Sequence, residues 1–234
     1  MKTLCIAAAL SLAAAPLMAQ TISVDKEREG REPKAFVPMV GHWVIATDEG
    51  KKVVMVDGRT WKRGQAAGGL ADKARDLYGA SHEEFIDNVK AFAYFPIAVA
   101  RDVPNFTDGS ITVKFKMIGG TLDRAPGIMF NLKQNGDWLA IRYNGTEDNL
   151  VLWKFVNGAR SFVKRGSKNV PLEMGTWHEI KVVTKGTAIQ GYLDGELLIE
   201  SAWTDPISGK VGLWAKTDTM AEFTDFTVTP EKKP

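Results

Sequence analysis

Hydrophobic and polar residues alternate with a period of two along much of the chain. Ile111, Val113, Phe115 and Met117 are separated by Thr112, Lys114 and Lys116, and His178, Ile180 and Val182 are flanked by Trp177, Glu179 and Lys181. That spacing predicts strands buried on one face. Asx-Gly pairs stand between such runs at Asp57-Gly58, Asn135-Gly136, Asn157-Gly158 and Asp194-Gly195. Both residues of such a pair tolerate the positive φ of a tight hairpin turn, so each is read as a strand reversal. The period changes in one place. Leu70, Ala74, Leu77 and Tyr78 repeat with helical spacing, and Ser81 with Glu84 forms a capping box ahead of Phe85, Ile86, Val89 and Phe92. Two short helices, about 70–79 and 82–92, are expected as an insertion between strands near 53–56 and 95–100. Such an insertion either walls a binding cleft or caps an open end of the fold.

Many short strands, one helical insertion and no βαβ alternation predict an all-β fold, an antiparallel β-sandwich of jelly-roll type over residues 36–230. Residues 20–35 are mostly charged and read as an extended or flexible leader, and 231–234 as a tail. Ahead of them, Lys2, the apolar run from Leu4 to Ala15 and the small residue Ala19 form a secretory signal peptide over 1–19, which implies a secreted or periplasmic protein. The apolar run is too short to span a membrane, and no later stretch qualifies.

Composition narrows the chemistry. The 234 residues carry 30 basic and 28 acidic side chains. Removal of the signal peptide takes away Lys2 and the single cysteine, Cys5. A mature chain with no cysteine relies on its core rather than on disulfides, and it has no thiol nucleophile or cysteine metal site. A charge near balance argues against nucleic acid as a partner. The three histidines, His42, His82 and His178, are dispersed, which gives no support to a zinc site or a Ser-His-Asp triad. His178 shares its strand face with Ile180 and Val182 and is expected to be a hydrogen-bonded core residue. No glycine-rich phosphate loop is present, so no nucleotide cofactor is expected. A structural calcium ion would draw on the loop aspartates Asp123, Asp137, Asp148 and Asp218, but their spacing does not show that they converge.

Three segments carry a resemblance: TWHEIKVVTKGTAIQGYLDG (176–195), GIMFNLKQNGDWLAIRYNGTEDNLVLWKFVNGAR (127–160) and GKVGLWAKTDTMAEFTDFTV (209–228), with a weaker match at Gly41-His42-Trp43. Together they resemble exported bacterial domains of the concanavalin A-like lectin/glucanase superfamily, laminin-G-like jelly rolls among them. The resemblance implies a jelly roll associated with carbohydrate or polysaccharide, and it marks Arg142, Asn144, Glu147 and Asn149 on one element with Trp214, Lys216 and Asp218 on another. An arginine fork, amides and carboxylates suit paired sugar hydroxyls, and a tryptophan face suits a pyranose. The alternative is that Glu147 and Arg142 pair with each other while the asparagines hold turns. Of seven tryptophans, Trp138 and Trp153 near hairpin turns are, with Trp214, the candidate platforms; Trp43, Trp61, Trp177 and Trp203 are expected in or near the core.

The resemblance also defines what is missing. Glucanases of this kind carry alternating carboxylates on one strand, and the lyases carry Gln-x-His and Tyr-x-Lys; neither pattern occurs here. Asp194-Gly195-Glu196 with Glu200 is better read as a turn. The leading expectation is an exported lectin-like carbohydrate-binding domain. Its rivals are a glycan hydrolase or lyase using Glu147, Asp218 or Lys216 as acid and base, and an envelope interaction domain with no sugar site.

Overall fold

The computed structural model describes residues 18–60, 62, 66–87 and 95–231. The signal-peptide reading therefore falls outside the described residues except at its last two positions, as do Trp61, Val89 and Phe92. Along the chain run β1 (Gln20–Thr21), β2 (Phe36–Val40), β3 (Trp43–Asp48), β4 (Lys51–Asp57), α1 (Leu70–Tyr78), α2 (His82–Asp87), β5 (Ile97–Ala100), β6 (Gly109–Gly119), β7 (Pro126–Leu132), β8 (Trp138–Asn144), β9 (Asn149–Val156), β10 (Ala159–Arg165), β11 (Trp177–Lys185), β12 (Ala188–Leu193), β13 (Glu196–Ala202), β14 (Lys210–Ala215) and β15 (Met220–Pro230). One 3-10 turn, Gly79–Ser81, joins the helices.

The strands form two antiparallel sheets. One has the order β13-β12-β11-β6-β15-β4-β3, with β1 paired to β15; the other has the order β10-β9-β8-β7-β14-β5-β2. The sandwich expected from the alternating pattern is present. Ile111, Val113, Phe115 and Met117 point inward and are fully buried, and they share one core with Ile128, Phe130, Leu139, Ile141 and Leu213 of the facing sheet.

The seven-stranded sheet is also covered on its outer face. Ala74 and Leu77 of α1 and Phe85 of α2 form a second core with Met39, Phe95, Met129, Trp138, Phe155 and Trp214. The insertion thus packs against a sheet face rather than capping an open end of the sandwich. Burial on both sides explains why every residue of β2, β5, β7, β8 and β14 is buried and why alternation is lost there.

Two expectations are corrected. The 20–35 segment is not a free leader: Gln20 and Thr21 pair with Val228 and Thr227, Val24 is buried, and the Glu27 carboxylate accepts the N–H groups of Lys34 and Ala35. Its few apolar residues reach the core while its charges stay in water, so a low hydrophobic content hides a docked segment. Among the Asx-Gly pairs, Asn157-Gly158 and Asp194-Gly195 adopt positive φ at both residues, as tight hairpins require. Asp57-Gly58 instead ends β4, and a side chain at Gly58 would meet the Thr217 carbonyl oxygen at 2.4 Å. The β3–β4 reversal is made by Glu49 and Gly50, at φ 45° and 81°.

Phe85 joins the insertion to the second core. Phe85→Ala is expected to lower the unfolding free energy by about 3–5 kcal/mol, measured by chemical denaturation. An unchanged midpoint would show that the insertion is not integral to the fold.

Candidate functional site

The site begins where β8 turns into β9. Residues 138, 140, 142 and 144 of β8 lie on the outer face of the seven-stranded sheet, and Arg142 pairs directly with Gly127 of β7. A side chain at Gly127 would meet the Ile141 carbonyl oxygen at 2.6 Å and the Arg142 Cβ at 2.7 Å, so glycine is what lets β7 and β8 approach this closely beside the arginine. Arg142 is 1% exposed. Its Nη2 donates to Glu147 Oε2 at 2.9 Å, and its Nη1 donates to the Asn149 carbonyl oxygen at 3.2 Å and to Asn149 Oδ1. Asn149 Nδ2 donates to the same Glu147 oxygen at 3.1 Å. Burial pulls the Arg142 guanidinium below its usual pKa against the opposing pull of Glu147. Burial also pushes Glu147 up, but the Asn149 hydrogen bond and the Arg142 charge outweigh it and leave the carboxyl below its ordinary value.

A second polar cluster ties the β6–β7 loop to the β14–β15 loop. Asp218 accepts three backbone N–H bonds, from Thr121 at 2.7 Å, Leu122 at 3.0 Å and Asp123 at 2.9 Å. Asp123 in turn accepts Lys216 Nζ at 2.8 Å, Thr217 Oγ1 at 2.7 Å and Asn144 Nδ2 at 3.2 Å. Burial pushes Asp218 up, yet the backbone donors hold its carboxyl below the usual range. The two clusters meet: Lys216 also helps to keep Glu147 ionised.

The residues marked from the sequence are therefore brought to one end of one sheet, in unequal states. Arg142, Asn144 and Asn149 are buried and committed to internal hydrogen bonds, the turn-holding alternative, and Asp218 is a loop anchor. Trp214 and Trp138 are fully buried in the second core, 6.1 Å apart between ring centroids. Glu147 remains open, with its side chain 47% exposed, and Lys216 is partly accessible at 21% although paired with Asp123. Neither Glu147 nor Asp218 is held protonated near neutral pH, the state a general acid needs. Asp137 and Asp148 lie in other contacts, with Asn157 N–H and Tyr143 Oη. Among the described residues no three metal-ligating side chains gather. His178 is mostly buried and bonds Asp194 at 2.7 Å, as its strand position implied.

Sequence reasoning missed two residues. Phe162 of β10 is 56% exposed and meets the half-buried Trp153 of β9 edge to face at 6.0 Å. Arg160 lies over the same Trp153 ring at 4.2 Å, and Arg142 sits 5.9 Å from it. The signal was a phenylalanine among basic residues in ARSFVKR, a segment with too little apolar content to mark a core. A separate concavity of about 370 Å³ opens on the outer face of the other sheet beside Trp177, where Lys114 and Lys116 are already ion-paired with Asp225 and with Asp48 and Glu222.

Comparison with solved structures identifies the architecture. The carbohydrate binding module CBM66 from Bacillus subtilis superposes with a TM-score of 0.58 at 16% identity, over 83% of this chain and 96% of that one. The fold is a concanavalin A-like jelly roll. A Bacillus subtilis protein of unknown function with a galectin-like fold matches at a TM-score of 0.55 and 13% identity, over 94% of this chain and 98% of that one. No protein-family model matches the chain, and no curated protein matches its sequence.

Asp218 makes a testable contribution. Because its folded pKa is depressed, its stabilisation is complete above the ordinary value of 3.8 and is lost as pH falls toward the folded value. Asp218→Asn should cost about 1–3 kcal/mol at neutral pH and flatten the acid limb of a stability-versus-pH curve. An acid limb identical to that of the parent would refute the anchor role.

Proposed function

We propose that this protein is an exported carbohydrate-binding domain of lectin type, with its sugar site on the outer face of the seven-stranded sheet where β8, β9 and β10 end. The observation that carries the reading is the exposed Phe162 ring, set against the half-buried Trp153 on the same face as Glu147 and Lys216. A sugar is recognised by an aromatic surface for its C–H face and by fixed polar groups for its hydroxyls, and this strip offers both. Arg142, Asn149 and Asp123 support it from beneath: they hold Glu147 and Lys216 in place by direct hydrogen bonds, so little side-chain entropy is lost on binding. The likeness in fold to a carbohydrate binding module is consistent with this reading. Export rests on the amino-terminal sequence and is part of the proposal.

The test is a panel of soluble neutral and acidic polysaccharides, scored for retardation in affinity electrophoresis and, in parallel, for new reducing ends and unsaturated products. Retardation by at least one glycan is expected, weakened by about tenfold in Phe162→Ala and in Glu147→Ala, with no product formed. New product would replace the binding reading with a hydrolase or lyase. No retardation across the panel would favour an envelope interaction domain.

A further inference from the structure

From Asn149 to Leu172 the chain contains no aspartate or glutamate, yet it carries Lys154, Arg160, Lys164, Arg165 and Lys168. In a protein whose charges otherwise nearly cancel, this concentrates positive charge on the β9–β10 hairpin and the loop that follows it. Among the described residues, only Lys168 of these five has a carboxylate partner, Glu196 at 2.9 Å. Arg165 donates to the side-chain oxygen of Asn169 at 3.0 Å. Lys154 lies 5.6 Å from the Trp203 ring, and Arg160 is held over Trp153 and 5.2 Å from Phe95. Stacking fixes a guanidinium without neutralising it, so the fork keeps its charge and its donors for another group. Beside it, the Arg142 Nε is buried and has no hydrogen-bond partner.

Charges on an edge strand ordinarily guard it against pairing with other chains. That explanation does not fit Phe162, which stands 56% exposed in the same strand and would promote such pairing. Aromatic and cationic side chains interleaved on one open strand suit a ligand that has apolar faces and repeated negative charge. A register shift between Phe162 and Lys164 turns Lys164 to the other face, opposite the core residue Leu152, and brings Arg165 onto the face of Arg160 and Phe162. Arg160 and Arg165 lie opposite Phe155 and Val151 of β9, four strand residues or about 13 Å apart, a spacing for an extended polymer rather than a single small anion.

We infer that the β9–β10 hairpin selects an acidic polysaccharide, one bearing carboxylate or sulfate groups along its chain. The inference rests on the carbohydrate-binding reading and deepens it by naming the class of glycan. Arg160 and Arg165 contact the anionic substituents, and Phe162 contacts the sugar ring between them.

Pairs of polymers that share a backbone separate the two readings: dextran against dextran sulfate, and polygalacturonate against its methyl ester. The protein should be retarded in gels containing dextran sulfate or polygalacturonate and not in their neutral counterparts, and the effect should fade as added salt shortens the screening length. The double variant Arg160→Ala/Arg165→Ala should bind about tenfold more weakly while still unfolding in one cooperative transition, at a slightly lower midpoint because Arg160 packs on the Trp153 ring. Phe162→Ala should weaken binding as well, which a purely electrostatic surface would not show. Equal retardation by charged and neutral members of a pair would overturn the inference and leave the carbohydrate reading standing. Absence of retardation in all four gels and across the wider panel would defeat both. Tighter binding to single-stranded DNA than to either acidic glycan, or acidic-glycan binding indifferent to the double variant, would also overturn it.

Discussion

The seven-stranded sheet is buried on both faces, and the rest of the molecule is arranged around that constraint. One face meets the eight-stranded sheet and the other meets the helical insertion. A strand buried on both sides has no polar face to give to water, so the inner strands carry apolar or small residues at nearly every position. Large aromatic side chains that a one-sided sheet would present to a ligand become filling here. Trp138 stacks on Phe155 at 5.2 Å, and Trp214 lies 5.1 Å from Phe95. What stays open is the part of the sheet the helices do not cover, its β8–β10 end and the loops beside it.

At that end polar groups take over the work of packing. Asp218, Asp123 and Lys216 fasten one pair of loops, and Arg142, Asn149 and Glu147 fasten the β8–β9 turn. Each buried donor or acceptor in these clusters answers another, with the Arg142 Nε a notable exception. Such networks are costly to break, and they hold their exposed members within a narrow geometry. Rigid support beneath a few accessible groups is the arrangement a binding surface needs.

The alternation of Ile111 to Met117 was enough to place β6 and its buried face, and Asn157-Gly158 and Asp194-Gly195 were enough to place two hairpins. Those signals are local: the strand period and the left-handed tolerance of Asx-Gly act within a few residues. The Glu49-Gly50 turn escaped notice because glutamate is not a residue that favours positive φ. Docking of the 20–35 segment escaped because its contacts are to strands distant in sequence. Asp218 and Asp123 were legible as loop carboxylates, but their joint role depends on loops nearly a hundred residues apart.

By itself the sequence determined the class of fold and the turn-forming points, because those follow from periodicity and backbone preference. It also placed Arg142, Glu147 and Asn149 within eight residues around one strand end, while leaving open whether they face a ligand or pair with each other. Only the tertiary structure decided which of these side chains water can reach. Arg142 and Trp214 are buried while Glu147, Lys216 and Phe162 are accessible, since exposure depends on which face a distant helical insertion covers and where that cover ends.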